Sequence, residues 1–571
     1  MSSFLLALKA LLRHILLRLL RAVYPPLNDV CIRVQKSPGL PVPNPTSSYW
    51  LQTPSPIAKH NADPSVPLPE YADIVIIGSG ITGTSFARTI LDYKSGHDVL
   101  GAPLKIVMLD ARDTCSGATG RNGGHVTPVL YQEYSDIKAV HGKDMAQKII
   151  RFRLAHISQT LQVAKEENLL DDSQGREVEA FDVFFDKGLF RKAKLLLKEF
   201  QADLPDESTD YKICETREEL DKLQLSKSIV GCFSTRAGAI HPYRLVTGIL
   251  ARLLTSYPDS FDIYSHTPCT QITSPDDSDN CYTALTPRGK IRAHHIVHAS
   301  NGWVSHLLPG MRGIIFPSRG CMTAQIPRKG LGSIPPELSN NAQSKPALYD
   351  ASSWTGNRSF VIYPKSNVGT YDYLTQQTSS TGPHTMYPQP RGELMLGGGF
   401  TQSLATEVGT ADDSECNARV SGYLSTALRR VFSVSGGADE DKEDVVATWS
   451  GVLGLSADEM PWVGRIPEKI TGRSLGRKDT KSEGSPNGQG LASSGEWIAA
   501  GYSGEGMVHA WLSGKALGWM VLGLDLDSPV AGDETRSRRD SKPGLEWFPE
   551  VFRITEERWK RAEFEDLMGT F

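Results

Sequence analysis

The chain has 571 residues, and its 61 Lys and Arg against 65 Asp and Glu give a formal net charge of −4. This near-neutral balance excludes a protein built to coat nucleic acid, and a hydrophobic content of 39% excludes global disorder. The eight Cys form no CxxC pair, so we predict neither a disulfide framework nor a metal site.

The sequence pattern of residues 1–24 predicts a basic amphipathic helix. Between residues 4 and 22, apolar side chains share one arc at the helical period, and the cations lie on the opposite half. Four cations within about 20 residues disfavour a membrane-spanning helix. The pattern instead fits a helix on an anionic membrane surface, a mitochondrial presequence, or a helix that packs on the body. We expect an intracellular protein that is cytoplasmic, mitochondrial or at a membrane surface, with peripheral membrane contact through residues 4–22.

The next segment, residues 25–71, is rich in Pro and predicts an extended tether or wrap. At the other end, residues 524–571 are interpreted as a C-terminal tail. Folded sequence is therefore predicted from residue 72 to residue 523.

A dinucleotide site is predicted where the apolar run of residues 73–77 stops at Gly78, as buried parallel strands do. Gly78, Gly80 and Gly83 form a GxGxxG pattern before a helical stretch. These glycines permit a tight turn, close approach of a pyrophosphate to the backbone, and packing of helix on strand. The phosphates would then lie at the helix N-terminus.

A second apolar strand, residues 105–109, ends at Asp110. A carboxylate there can bind both ribose hydroxyls, which favours an adenosine without a 2′-phosphate. A helix cap is the alternative role for Asp110.

Two further glycine-rich turns decide which dinucleotide is favoured. One is SGATGRNGGH at residues 116–125, and the other is GYSGEGM at residues 501–507, between an apolar strand and a helix. The second helix N-terminus suits a partial negative charge, such as that on the edge of a reduced flavin ring. Nicotinamide enzymes have no need for this element, so a flavin is favoured.

In this order the motifs resemble the FAD-dependent oxidoreductase family of D-amino-acid oxidase, glycine oxidase and sarcosine oxidase. The SGATGRNGGH form is most similar to gamma-glutamylputrescine oxidase-type proteins and their fungal relatives. The motifs that carry the resemblance are GSGITG, LDAR, SGATGRNGGH, GAIHPYRLVTGIL, IVHASNGW, WSGVLGLSADEMPWVGRIP and GYSGEGM.

The resemblance implies an α/β fold with two interleaved domains. A Rossmann-like FAD-binding domain is expected at residues 72–128, 238–303 and 445–523. An α+β substrate domain with an antiparallel sheet is expected at residues 129–237 and 314–430. The substrate would lie between this sheet and the flavin.

The resemblance also implies FAD as the cofactor, bound without a covalent link. Relatives attach flavin through a His that matches Arg121 here, or through a Cys in the stretch that matches residues 449–461, which contains none. His125 is the only nearby candidate for a bond. The residues implied to contact FAD are Gly78, Gly80, Ile81, Gly83, Asp110, Ala111, Arg112, Arg121, Asn122, Gly123, Gly124, His125, Cys269, Gly302, Gly504, Gly506 and Met507.

The family chemistry removes a hydride from the carbon next to an amine nitrogen, with oxygen or another acceptor reoxidising the flavin. The expected partner is a small-molecule amine. Catalytic candidates are His125, Tyr373 and Arg319, against the alternatives of backbone hydrogen bonding, core packing and a structural ion pair respectively. Glu505 is the candidate amine-facing carboxylate.

Two other functions stay open at this point: a flavoenzyme of the same fold that oxidises a secondary metabolite, and an FAD-containing mitochondrial assembly factor. Neither the substrate nor the oligomeric state follows from the sequence.

Overall fold

The computed structural model describes residues 25–96, 103–274, 280–327, 331, 356–364, 371–378, 392–433, 444–473, 490–525, 544–564 and 567. The predicted N-terminal helix, residues 1–24, lies outside the described residues. The strands are β1 (Tyr71–Ile77), β2 (Ile106–Leu109), β3 (His125–Val126), β4 (Arg176–Phe184), β5 (Lys212–Cys214), β6 (Gly231–Ala239), β7 (Phe261–Tyr264), β8 (Gln271–Thr273), β9 (Tyr282–Thr286), β10 (Gly289–His298), β11 (Ile315–Gln325), β12 (Arg358–Tyr363), β13 (Asp372–Gln376), β14 (Leu394–Gly398), β15 (Val445–Ser456), β16 (Trp462–Arg465) and β17 (Gly495–Ala500).

The helices lie before, between and after these strands. They are α1 (Pro25–Val34), α2 (Ile81–Ser95), α3 (Tyr131–His141), α4 (Lys143–Glu166), α5 (Lys187–Asp203), α6 (Arg217–Lys222), α7 (Pro242–Ser256), α8 (Val304–Leu307), α9 (Leu404–Glu407), α10 (Ala418–Val431), α11 (Glu468–Thr471), α12 (Ala510–Val521) and α13 (Glu556–Arg561). The two longest are α4, with 24 residues, and α5, with 17 residues.

The first sheet has a parallel core in the order β17-β10-β1-β2-β7. β16 adds an antiparallel edge, β9 pairs with the first half of β10, and β8 pairs with β9. β1 is buried from Ala72 to Ile77, which is why its sequence is apolar without alternation. Helix α2 follows β1 directly and packs on α12, where a side chain at Gly514 would lie 2.5 Å from the Thr82 carbonyl oxygen.

The second sheet runs β15-β11-β14-β13-β12-β4-β6-β3, with β5 on β6. Its pairs are antiparallel except β4 with β12, which is parallel. These two strands come from widely separated chain segments, so no hairpin constrains their relative direction. The mixed α/β fold predicted from the sequence is confirmed, and its antiparallel sheet contains this one parallel pair.

Two strands near the predicted domain boundaries pair within the second sheet. β15 lies in the stretch predicted for the FAD domain, and it pairs with β11 along its length, from Ile315 opposite Ser456 to Gln325 opposite Val445. Strand β3 also belongs to the second sheet, through its pairing with β6. Pairing partners far apart in sequence leave no local signal, so the boundaries drawn at residues 128 and 445 miss them.

The described parts of both terminal segments pack on the core, beyond the predicted limits of the folded chain at residues 72 and 523. In the segment expected to be a tether or wrap, Val34 is buried in α1 and Trp50 is only 2% exposed. In the expected tail, Phe548 and Phe552 are buried, and the Arg558 guanidinium stacks 3.8 Å from the Trp462 ring centroid. The Pro-rich segment is therefore a wrap whose apolar side chains join the core.

Two kinds of feature are absent from the described part of the chain. No helix there is long and apolar enough to cross a membrane. No group of three or more His, Cys, Asp or Glu side chains there is placed to hold a metal ion.

Candidate functional site

A deep cleft opens at the carboxyl ends of β1 and β2, the edge where ligands bind in open parallel sheets. Its empty volume is about 1290 Å³, including space open to solvent. The predicted cofactor residues that line it are Gly78, Gly80, Ile81, Asp110, Ala111, Arg112, Asn122, Cys269, Gly504, Gly506 and Met507.

The turn between β1 and α2 forms a cradle that only glycines permit. Gly78 has φ +111°, and a Cβ there would lie 2.6 Å from the Ala299 carbonyl oxygen. A Cβ at Gly83 would lie 2.2 Å from the Gly78 carbonyl oxygen, so this glycine packs the helix on the strand and does not line the cleft. Gly80 caps α2 without a side-chain hydrogen bond. The Ile81 N–H donates to Thr119 Oγ1 at 3.0 Å, and the next N–H groups of the first turn are left available to a phosphate. This cradle fits the pyrophosphate of a dinucleotide.

Asp110 stands at the end of β2 on the cleft wall and also fixes the turn. Its Oδ2 accepts hydrogen bonds from the Ser79 backbone N–H, at 3.2 Å, and from the Ser79 hydroxyl. Its Oδ1 accepts from the Arg112 N–H at 3.0 Å. Burial raises the pKa of this carboxyl above its usual value, and these hydrogen bonds oppose the shift.

Arg121 has a different role from the one predicted along the flavin. Its Nη1 donates to the Thr46 carbonyl at 2.8 Å and to the Ser450 carbonyl at 2.9 Å, and its Nε donates to the Ser116 carbonyl at 2.8 Å. The side chain is buried and lines neither this cleft nor the second cavity that adjoins it. A guanidinium with five donors satisfies several backbone carbonyls at once, so Arg121 ties the glycine-rich loop to the N-terminal wrap and to β15.

Two of the predicted flavin glycines are packing glycines. A Cβ at Gly124 would lie 2.1 Å from the Ile240 carbonyl oxygen, and one at Gly302 would lie 2.6 Å from the Leu453 carbonyl oxygen. Neither residue lines the cleft or the cavity next to it. Each glycine instead lets two backbone segments approach closely.

A second cavity adjoins the cleft and shares Asn122, Gly504 and Met507 with it; its empty volume is about 700 Å³, including space open to solvent. The second sheet forms one wall of this cavity, which is called the substrate cavity because the sequence predicts the substrate at this position. Its other lining residues are Gly123, His125, Thr127, Pro128, Val129, Gln132, Asp182, Tyr211, Thr235, Val361, Tyr363, Tyr371, Tyr373, Glu505 and Val508.

His125 and Tyr373, two predicted catalytic candidates, stack beside each other on this wall. Their ring centroids are 5.9 Å apart with an interplanar angle of 11°. Burial lowers the pKa of His125 to about 3, so its imidazole is neutral, and its buried Nε2 has no hydrogen-bond partner among the described residues. The Tyr373 hydroxyl contacts the Met322 sulfur at 3.0 Å.

Glu505 lies in the turn that both cavities share, with a side chain 12% exposed. Its buried Oε2 accepts no hydrogen bond from the described residues and lies 3.8 Å from Arg153 Nη2. Arg153 is itself bound to Glu133 at 2.8 Å. Burial raises the pKa of Glu505 to about 8, although the Arg153 charge opposes the shift. The structure thus places this carboxyl in the cavity and not in solvent.

Asp182 is a cavity residue that the sequence analysis missed. Its Oδ2 accepts hydrogen bonds from the Tyr131 hydroxyl at 2.8 Å and from the Gln132 amide at 2.9 Å, and the same amide donates to the Tyr363 hydroxyl at 2.8 Å. Burial raises the pKa of Asp182 to about 7. The sequence does contain an indication of this role: Asp182 is a single acid inside the apolar run of residues 180–184. Burying an unpaired carboxylate costs free energy, so an acid at such a position indicates a function.

Arg319, the third catalytic candidate, is turned away from the substrate cavity. Its Nε pairs with Glu407 at 2.6 Å, its Nη1 pairs with Glu415 at 3.1 Å, and it lines neither cavity. Met322, three residues along β11, contacts Tyr373 on the cavity side. Side chains alternate along a strand, so positions three apart face opposite ways. Arg319 therefore forms the structural ion pair that was its alternative role.

Comparisons with known structures agree with this architecture. Glycine oxidase from Geobacillus kaustophilus matches at 14% identity with a TM-score of 0.53, covering 86% of this chain and 99% of that one. Glycine oxidase from Bacillus cereus ATCC 14579 matches at 14% identity with a TM-score of 0.52, covering 79% of this chain and 95% of that one. L-Amino acid deaminase from Proteus myxofaciens, in complex with anthranilate, matches at 14% identity with a TM-score of 0.53, covering 91% of this chain and 96% of that one. At these identities the similarity concerns the fold.

The sequence itself matches the DAO family, described as FAD dependent oxidoreductase, over residues 73–520. No curated protein sequence matches the chain. The family match confirms the predicted family and, with it, FAD as the cofactor. This protein belongs to the DAO family of FAD-dependent oxidoreductases.

Proposed function

We propose that FAD lies in the cleft with its pyrophosphate at the β1–α2 turn and its ring at the junction with the substrate cavity. The cradle formed by Gly78 and Gly80 supports the first placement. The second is supported by the residues shared by the two cavities, Asn122, Gly504 and Met507. Asp110 is then the ribose ligand.

We further propose that the protein oxidises an amine at the carbon next to its nitrogen. The observation that carries this proposal is the position of the Glu505 carboxyl, which is buried at the junction of the two cavities and whose Oε2 has no hydrogen-bond donor among the described residues. Once it ionises, the Glu505 carboxylate can bind an ammonium group and accept its proton at Oε2. The raised pKa of Glu505, about 8, brings its proton affinity closer to that of an amine.

The remaining roles follow from the same wall of the cavity. The neutral His125 imidazole and the Tyr373 ring form a stacked surface that would orient the carbon chain of the substrate. Bound FAD supplies the hydride-accepting chemistry, and the protein contributes position and electrostatics.

Anaerobic bleaching of the purified yellow protein with a panel of amines tests this function. We expect amines to bleach the flavin absorbance, and Glu505→Gln to slow the bleaching about 100-fold because the amide cannot take the proton. Loss of the absorbance only with a complex metabolite would favour the secondary-metabolite function. No loss with any substrate, together with a stable respiratory-complex partner, would favour the assembly-factor function.

For the localisation, we propose peripheral membrane contact through residues 4–22. The support is the sequence pattern alone, because these residues lie outside those that the structure describes. The full chain is expected to sediment with anionic vesicles at low salt, and a chain lacking residues 1–24 is not. Equal sedimentation of the two chains would contradict the proposal.

A further inference from the structure

We propose that Asp182 binds a second ammonium group of the substrate, so that the amine oxidised by this protein is a linear diamine. This inference rests on the proposed amine oxidation and assigns a substrate class to the same cavity. It is carried by the position of Asp182 on the sheet, by its free oxygen, and by the residues around it.

The register of the second sheet gives the separation between the two ends of the cavity. Asp182 pairs with Val361 of β12, and Val361 pairs with Tyr373 of β13. Directly paired residues present their side chains on the same face, and all three line the cavity. Two strand spacings separate Asp182 from Tyr373, which is about 10 Å.

Tyr373 lies at the end of the cavity that adjoins the cleft. A Cβ at Gly123 would lie 2.7 Å from the Tyr373 ring, and Gly123 follows Asn122, one of the residues that the two cavities share. Asp182 is therefore at the end of the cavity that is farther from the cleft. A substrate whose reacting carbon lies near the junction and whose carbon chain extends along the sheet would reach Asp182.

The chemistry around Asp182 favours a cation. The residue is 5% exposed, and its two hydrogen bonds from described residues both reach Oδ2, which leaves Oδ1 for a ligand. Tyr211 and Tyr363 line the same region, and the faces of aromatic rings attract cations. An ammonium group would offset the cost of a buried, ionised carboxyl.

The same surroundings disfavour an amino acid whose carboxylate extends to this end. Among the described residues that line the cavity there is no Lys or Arg, and the charged or acidic groups are Asp182 and Glu505. A substrate carboxylate near Asp182 would meet a like charge without a compensating guanidinium.

A purely structural role for Asp182 makes a different prediction, because it depends on the hydrogen bonds at Oδ2. Asp182→Asn removes the charge and keeps an oxygen that accepts from Tyr131. Tyr131→Phe removes one of the hydrogen bonds and keeps the charge; its hydroxyl is bound to Asp182 and Tyr131 does not line the cavity. The two variants therefore separate charge from structure.

The test is calorimetric binding to the dithionite-reduced, anaerobic holoenzyme, in which turnover is blocked. The probes are 1,6-diaminohexane, hexylamine and 6-aminohexanoate. We expect the wild type to bind the diamine about tenfold more tightly than hexylamine, since a charge-assisted hydrogen bond is gained, and to bind the aminohexanoate most weakly. Asp182→Asn should remove the diamine preference and leave hexylamine affinity within about twofold, while Tyr131→Phe should keep the preference.

Equal affinities of the wild type for the diamine and hexylamine, or an unchanged preference in Asp182→Asn, would overturn this inference. Its failure is distinguishable from failure of the proposed function. If hexylamine bleaches the flavin but the protein shows no preference for the diamine, only the proposed ammonium site at Asp182 is rejected. Diamine binding that depends on Asp182 without bleaching by any amine rejects only the oxidation.

Discussion

At the scale of single residues, Gly83 sets the tightest steric limit in the nucleotide cradle. A methyl group there would lie 2.2 Å from the Gly78 carbonyl oxygen, a backbone atom that cannot move without shifting β1. We expect Gly83→Ala to destabilise the protein by about 3 kcal/mol or more and to abolish FAD retention. Chemical denaturation and the flavin absorbance of the purified protein measure the two effects.

Gly96 provides the matched control, at the other end of the same helix. Among the described residues, a Cβ there would meet its nearest atoms at 3.7 and 3.8 Å, and its φ of −82° suits any residue. Gly96→Ala is expected to change stability by about 0.5 kcal/mol or less and to leave the protein yellow. If both variants retained FAD equally, the cradle would not depend on close backbone approach.

The two buried acids of the substrate cavity make stability depend on pH in a defined direction. Burial raises the pKa of Asp182 to about 7 and that of Glu505 to about 8, above their ordinary values of 3.8 and 4.5. Between the ordinary and the raised values, the folded state holds a proton that the unfolded state has lost. The contribution of each acid to stability is therefore full below its ordinary pKa and falls as pH rises through the raised pKa.

Unfolding of the apoprotein between pH 4 and 9 measures this effect. We expect Asp182→Asn to gain stability relative to the wild type as pH rises from 4 to 7, by an amount on the order of a few kcal/mol. Glu505→Gln should show the same trend, extended to about pH 8. The difference between variant and wild type is the relevant quantity, because paired acids such as Glu407 have lowered pKa values and change stability in the opposite direction. A difference that stays constant with pH would show that these carboxyls ionise normally.

At the scale of elements, one buried carboxylate joins the turn after β2 to the glycine-rich loop. Asp413 is fully buried, its Oδ1 accepts from Arg112 Nη1 at 2.9 Å, and its Oδ2 lies 3.6 Å from Arg121 Nε. Asp413→Asn would leave two buried guanidinium groups without their counter-charge. We expect a loss of about 3 kcal/mol or more in stability and weaker FAD binding, since Arg112 lines the cleft.

The neighbouring residue supplies the control for this experiment. Asp412 is exposed, and its carboxylate binds only Ser414 among the described residues. Asp412→Asn makes the same chemical change and is expected to have an effect of about 0.5 kcal/mol or less. Denaturation and FAD titration of the two variants compare them directly, and equal losses would argue against the ion cluster.

The elements also show which parts of the fold were predictable. β1, its glycine turn and α2 follow one another in sequence, so their pattern is local and the prediction matches. The placement of β15 depends on its pairing with β11, more than a hundred residues earlier. The sequence pattern of β15 does not indicate which strand it pairs with. Arg319 was assigned to the site without knowing which face of β11 it occupies, and the sheet register supplies that information.

Asp182 shows the corresponding limit within the site. It joins the cavity because β4 and β12 pair in parallel across segments that are separate in the chain. Glu505 was recognisable because it lies inside a motif that already pointed to the flavin. Residues that enter a cavity from a distant strand have no such neighbour, so sequence reasoning recovered the cofactor cleft better than the substrate cavity.

At the scale of the whole molecule, the N-terminal wrap completes the cofactor cleft from outside both predicted domains. Trp50 is 2% exposed, its ring lies 4.3 Å from that of His241, and its indole N–H donates to the Asn122 carbonyl. Asn122 is part of the junction between the two cavities. A segment that looked like a tether thus buttresses the loop that would hold the flavin ring.

Substitutions at Trp50 separate packing from hydrogen bonding in this wrap. Trp50→Ala is expected to cost about 3 to 5 kcal/mol of stability, because a large buried ring is lost. Trp50→Phe keeps most of the packing, leaves the Asn122 carbonyl without its donor, and is expected to cost about 1 to 2 kcal/mol. Both variants should release FAD faster than the wild type, measured by the recovery of flavin fluorescence on dilution. If Trp50→Phe lost stability but released FAD at the wild-type rate, the wrap would stabilise the fold without positioning the cofactor loop.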